Sequence, residues 1–414
     1  MKRFILSALV LFFVYNNSFG QDLYNAYKKK DLAKFTKKLE LKPQLVNSKD
    51  PNGCPMILLL ARNSSLSFIK VLLAHGADIE TKDIEGKTAL IYAARNGSHP
   101  MLEFLVSQKA NVNQVDTTGN TALFYCMDEP EVFDYLLTNG VKMDHQNNMG
   151  RTILMEATGD SNKQLSNYLI AKGADVNIRD INGETALFNC FSSDIAANLI
   201  NKGTIADIAN NTNITPLHIA AYRGYLDMVE LLISNGASLL KKDNFGLDAL
   251  LYAVIGENPD IVKYLLDKGA DPNSKSISGS TPLMFAAYKL NYMISEQLIL
   301  KGANIDEQDQ DGYAPIFYIF IDLEQNSNYY LQVKSLIEIF VSKGADINIT
   351  DKYGNTPLMY ATSLGFKNIV EFLIFSGADP GIKNNNNQSA VDISTLAKYR
   401  STRESLFNTK MKDK

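Results

Sequence analysis

Apolar residues along this chain arrive as paired short bursts, with a polar break inside each pair and a polar turn between pairs. Residues 351–383 show the unit. Asp351-Lys352-Tyr353-Gly354 has Asp first and Gly fourth, the preference of a type I turn. Thr356 followed by Pro357 marks a helix start, because the Thr hydroxyl caps free amides and Pro at the first helical position forfeits no hydrogen bond. Leu358 and Ala361 fall on one helical face, Ser363 to Lys367 break the pattern, and Ile369, Val370, Phe372, Leu373 and Ile374 predict a second, longer helix. Gly377 closes it as a left-handed C-terminal cap.

The unit repeats. One glycine returns at Gly140, Gly173, Gly203, Gly236, Gly269, Gly302, Gly344 and Gly377, mostly at steps of 33 residues. A second, within Asp-x-x-Gly, keeps the same beat at Gly53, Gly86, Gly119, Gly150, Gly183, Gly246, Gly279, Gly312 and Gly354. A fixed period of this size predicts an all-α repeat solenoid, in which each unit buries its apolar face only against its neighbours. Such arrays present surfaces that hold other molecules, so the period bears on function as well as fold.

Residues and spacing together resemble the ankyrin repeat, whose signature is Asp-x-x-Gly-x-Thr-Pro-Leu-His with Gly-Ala-Asp after the second helix. The fullest match is Thr215-Pro216-Leu217-His218-Ile219-Ala220-Ala221-Tyr222-Arg223-Gly224, and further helix starts stand at Thr88, Thr121, Thr185 and Thr281. The resemblance implies helix-turn-helix units joined by β-hairpin-like loops. The expected organisation is a signal peptide at 1–20 and an N-terminal capping repeat at 21–49. Ten repeats follow at 50–82, 83–115, 116–146, 147–179, 180–209, 210–242, 243–275, 276–308, 309–350 and 351–383, and then a capping repeat and tail at 384–414. Lys109 and Asn213 replace expected glycines, and Asp248 and Ala314 replace the capping Thr. Each departure is expected to weaken its repeat by about 1 kcal/mol.

The beat breaks three times: 31 residues from Gly119 to Gly150, 30 from Gly183 to Asn213, and 42 from Gly312 to Gly354. Alignment from both sides places all three changes in the turn between the two helices, with an added segment near Leu323 to Gln332 that includes Tyr329 and Tyr330. An aromatic ladder stands two residues after the Leu of each helix start, at Tyr92, Tyr125, Tyr252, Phe285, Tyr318 and Tyr360; this helical phase assigns it to packing between repeats. Exposed positions are the hairpin tips and the pair after the first helix. They read as largely polar in the first half (Glu85, Lys87, Thr117, Thr118, Asn120, Asn182, Glu184). In the second half they become Tyr222, Arg223, Phe245, Ile277, Tyr288, Lys289, Tyr313 and Tyr353, the residue types of binding hot spots. A partner protein is therefore expected on hairpin tips and inner helices between residues 210 and 365.

Composition narrows the classes. The formal charge of −4 over 414 residues argues against nucleic acid as a partner. Lys2 and Arg3 precede an apolar run from Phe4 to Tyr15, too short to span a bilayer, and Ser18 and Gly20 suit cleavage before Gln21. An exported chain, periplasmic or secreted, is expected, with no transmembrane segment after cleavage. Lys28, Lys29, Lys30, Lys34, Lys37 and Lys38 crowd the first capping repeat, as a solvated end or a dock for an acidic partner or phospholipid. Cys126 and Cys190 occupy a repeat position held elsewhere by Ala93, Ala220, Ala253, Ala286 and Ala361, so they read as small buried fillers that stay reduced. The four histidines, His75, His99, His145 and His218, sit in unrelated repeat positions, and no metal spacing, nucleophile elbow or phosphate loop occurs. The expectation is a monomeric, non-catalytic scaffold without cofactor or metal. A secreted effector acting on a host protein, or an extracytoplasmic hydrolase or enzyme accessory with an unrecognised site, are the alternatives.

Overall fold

The computed structural model describes residues 21–321, 323, 329–395, 402, 403 and 406. The signal peptide and much of the C-terminal helix pair expected above lie outside those residues. The chain divides into two compact units that meet in sequence at Thr204 and Ile205. The first unit contains α1 (21–28), α2 (Leu32–Leu41), α3 (Met56–Arg62), α4 (Leu66–Ala74), α5 (Ala89–Arg95), α6 (His99–Ser107), α7 (Pro130–Thr138), α8 (Ile153–Gly159), α9 (Lys163–Lys172) and α10 (Ser193–Asn201). The second contains α11 (Pro216–Arg223), α12 (Leu226–Ser234), α13 (Ala249–Ile255), α14 (Pro259–Asp267), α15 (Pro282–Tyr288), α16 (Tyr292–Leu300), α17 (Pro315–Tyr318), α18 (Tyr330–Ser342), α19 (Pro357–Ser363), α20 (Lys367–Phe375) and α21 (Ala390–Ser394). No strand occurs among the described residues, only two isolated bridges, Lys49 with Pro55 and Lys383 with Ser389.

Most repeats are a helix pair, and within each unit the pairs stack on their neighbours. In the second unit the first helices α11, α13, α15, α17, α19 and α21 contact one another in sequence, and the second helices α12, α14, α16, α18 and α20 do likewise. The first helices are short and buried on most of their surface: α13 buries Ala249, Leu250, Leu251, Ala253 and Val254. Ala at the fifth position lets neighbouring helices approach closely. Cys126 and Cys190, at the same position, are buried free thiols, and burial pushes them up to about 12 and about 11.

Local sequence sets each start. Thr88, Thr152, Thr215, Thr281 and Thr356 accept the N–H three residues on. Asp248 does the same, its Oδ1 taking Leu251 N–H at 3.0 Å, so the cap expected to be lost there is kept. A carboxylate is as good a cap as a hydroxyl. Ala314 makes no side-chain cap, and its α17 spans only four residues. Lys109 and Asn213 adopt the left-handed φ of their glycine counterparts, 65° and 61°.

The length changes fall only partly where expected: the long repeat keeps its insertion between Tyr318 and the first turn of α18, and the two short repeats depart. In the two short repeats the first helix itself is cut down, to a 3-10 turn at Ala122–Tyr125 and to turn residues at 186–189. Thr121 and Thr185 then cap nothing, and their hydroxyls are buried without a hydrogen-bond partner. In the long repeat, part of the insertion becomes helix: α18 runs 13 residues where the other second helices run nine or ten. Tyr329 and Tyr330 are exposed at its start, and 324–328 lie outside the described residues.

Candidate partner-binding surface

Most hairpins are built around one carboxylate, with Asn147, Asn210, Ser276 and Asn384 in its place in the others. Asp243 is buried; its Oδ1 accepts the N–H groups of Phe245 and Leu247, both at 2.8 Å, and its Oδ2 accepts the Tyr252 hydroxyl at 2.8 Å. The same three-way arrangement recurs at Asp83 with Tyr92 (2.6 Å), Asp116 with Tyr125, Asp309 with Tyr318 (2.6 Å) and Asp351 with Tyr360 (2.9 Å). Burial, followed by the bond to the carboxylate, pushes the hydroxyls of Tyr92, Tyr125 and Tyr318 up to about 12. The aromatic ladder is thus half-buried packing with a polar end, a latch from first helix to hairpin. Its signal was present in the sequence as a spacing of nine: Tyr occurs at that position only behind Asp, whereas Asn147, Asn210 and Ser276 are followed by Glu156, Ile219 and Phe285.

Consecutive hairpins are joined through their backbones. In the first unit Thr117, Asn148 and Ile181 donate N–H to the carbonyls of Glu85, Thr118 and Met149, at 2.8, 3.0 and 3.1 Å. In the second, Asn244, Ile277, Gln310, Lys352 and Asn385 donate to Thr212, Phe245, Ser278, Asp311 and Tyr353, at 2.9 to 3.4 Å. Backbone polarity is consumed within the rim, and the tip side chains stand outward. Phe245 is 67% exposed and Ile277 66%; Tyr353, Tyr222 and Tyr288 are also exposed. Arg223 is exposed beside Tyr222, and Lys289 is exposed and pairs with Glu257 at 3.6 Å.

Tyr313 differs from its companions. It is half-buried, with edge contacts to Phe317, Tyr318 and Tyr360, and its hydroxyl accepts that of Tyr360 at 3.2 Å. It packs a hairpin against a helix and offers little free surface. The first unit also corrects the expected polar-to-aromatic shift. Ile84, Met149 and Ile181 occupy tip positions there and are exposed, Ile84 by 98%. Reading tip positions strictly by repeat phase would have found them. The shift is narrower than expected: exposed apolar residues stand at some tips in both units, and exposed aromatics among the described residues are confined to the second.

His218 is fully explained by structure. Its Nδ1 accepts Thr215 N–H at 3.1 Å, and its Nε2 lies 3.0 Å from the carbonyl of Lys241, which only accepts, so the ring is neutral with its proton on Nε2. The ring stacks on Tyr252 at 4.9 Å, and burial holds its pKa below the usual histidine value. A folded state that refuses this proton loses stability as pH falls through about 6.5, by up to about 1.4 kcal/mol per pH unit. Melting temperatures at pH 7.5 and 5 are expected to diverge more for the native chain than for His218→Gln; equal divergence would mean that another group sets the slope. Among the described residues no group of three His, Cys, Asp or Glu side chains is arranged to hold a metal ion. No helix there is long and apolar enough to cross a membrane.

Known proteins are similar to this chain in sequence. The family described as "Ankyrin repeats (3 copies)" matches in overlapping segments from residues 23–116 through 283–384, together spanning 23–384. Ankyrin repeat-containing protein F37A4.4 of Caenorhabditis elegans is 50% identical over 50 residues, 12% of this chain and 4% of that protein. Mouse oxysterol-binding protein-related protein 1 is 42% identical over 55 residues, 13% of this chain and 6% of its own length. Mouse neurogenic locus notch homolog protein 1 is 30% identical over 136 residues, 32% of this chain and 5% of that protein. The chain spans only a small part of the curated relatives it matches. Capped helix pairs, latched hairpins and a family match from end to end of the array agree: this chain belongs to the ankyrin repeat family.

Proposed function

We propose that this chain is an exported, non-catalytic, monomeric scaffold that captures a partner protein on the hairpin tips and first helices of its second unit. The observation that carries this reading is the run of exposed Phe245, Ile277 and Tyr353 along a rim whose backbone is already hydrogen-bonded, flanked by Tyr222, Arg223, Tyr288 and Lys289. Large apolar side chains held on a rigid rim lose little entropy on binding and form the centre of an interface, with charged neighbours as its edge. Nucleic acid is a poor fit for an acidic chain with this apolar rim.

Phe245→Ser, Ile277→Ser and Tyr353→Ser together are expected to abolish retention of the bound protein in affinity capture, with an unchanged melting curve. Retention at the native level would overturn the site. Tyr313 is left intact because its loss would disturb packing. Export is tested separately: the amino-terminal residue of the protein recovered from the periplasm or medium is expected to be Gln21. A product still carrying Met1 and remaining with the cytoplasm would overturn it.

A further inference from the structure

The amino-terminal part of the first unit carries a charge opposite to the rest of the chain. Residues 21–50 hold eight lysines and four carboxylates, whereas 51–414 hold 31 basic and 41 acidic residues. The lysines are ordered by α2. At 100° per residue, Lys34, Lys37, Lys38 and Leu41 share one side of this helix, while Phe35 and Leu39 are buried on another. Lys38 pairs with Asp22 at 3.0 Å. Lys29 and Lys30, in the turn before α2, and Lys34 and Lys37 on it are exposed, with no carboxylate in ion-pair distance among the described residues. Leu41 ends the stripe and is 70% exposed.

The residue types discriminate between partners. No arginine occurs between 21 and 50. Carboxylates of an acidic protein are best held by the bidentate guanidinium fork, whereas lysine is a mobile, hydrated point charge suited to a diffuse anionic plane. An exposed leucine beside such charges adds apolar contact at the headgroup boundary. We propose that α1 and α2 dock on an anionic phospholipid surface, with Lys29, Lys30, Lys34 and Lys37 against headgroup phosphates and Leu41 entering the interface. Opposite charge on the remainder of the chain turns it away from the same surface and orients it.

The test is co-sedimentation of the full chain with vesicles of phosphatidylglycerol and phosphatidylcholine, and with phosphatidylcholine alone. Neutral vesicles separate out any contribution from the apolar run at Phe4–Tyr15. Binding is expected only with the anionic lipid and is expected to weaken with salt. It should fall about fivefold for each lysine changed to glutamine, so that K29Q/K30Q/K34Q/K37Q reaches background. A urea midpoint matching the native chain shows that the variant folds. Equal binding to both vesicles, or undiminished binding of the variant, overturns the proposal. Displacement of bound chain from anionic vesicles by equimolar polyglutamate would overturn it in favour of an acidic protein.

Discussion

Asp243→Ala is expected to lower the unfolding free energy by about 3 kcal/mol, measured by urea titration followed by circular dichroism. The buried carboxylate satisfies two hairpin amides and the Tyr252 hydroxyl at once. Alanine leaves all three unpaired where water reaches them poorly, and hydrogen bonds to a charged acceptor are the stronger class. Asp243→Asn isolates the latch. Asparagine already serves the two amides at Asn147 and Asn210, whose oxygens accept N–H groups at 3.0 Å. What it removes is the charged acceptor for tyrosine. Its cost is expected to be about 1 kcal/mol and to shrink when Tyr252 is already Phe, because the two changes act on one bond. Additive costs would show that Asp243 acts through the amides alone.

Gly246→Ala and Gly236→Ala form the second test, since both glycines have left-handed φ, 76° and 88°. They differ in surroundings. A Cβ on Gly246 would stand 2.8 Å from the backbone nitrogen of Ile277, while one on Gly236 meets nothing within 4 Å. Relief at Gly246 requires moving a backbone that is bonded to Phe245 at 2.9 Å. The expected losses are about 3 kcal/mol for Gly246→Ala and about 1 kcal/mol for Gly236→Ala. Lys109 already illustrates the milder case, since it adopts φ 65° at the position of the open glycines. Equal losses would mean that dihedral strain, and not contact between hairpins, decides both.

These two tests bear on binding because the rim that carries Phe245, Ile277 and Tyr353 is held by the same carboxylates and glycines. A partial loss of partner capture in Asp243→Ala, at temperatures where the chain remains folded, is the expected consequence of a loosened rim. Residue choice at the tips remains free, since their backbones bond whatever the side chain. That freedom lets Met149, Phe245 and Tyr353 occupy one tip position, and Ile84, Ile181 and Ile277 the other, where other repeats carry polar residues.

The sequence by itself determined the repeat, the order of turn and helices, the caps at Thr88, Thr215, Thr281 and Thr356, and the structural part played by His218. The repeat, the caps and the bond of His218 to Thr215 are local: they depend on dihedral preference and on bonds between residues at most four apart, so a periodic pattern states them directly, whereas the contacts of His218 with Lys241 and Tyr252 are tertiary. The rim side chains Phe245, Ile277 and Tyr353 were legible for the same reason. Tertiary structure decided what depends on where a second segment lies. It placed Tyr313 in a cluster with Tyr360, which is 47 residues away. It shortened first helices where residues were missing, because second helices could not shrink without opening the layer against their neighbours. And it gave the aromatic ladder its polar partners, since a tyrosine hydroxyl finds a carboxylate nine residues back only when the chain has turned from hairpin into helix.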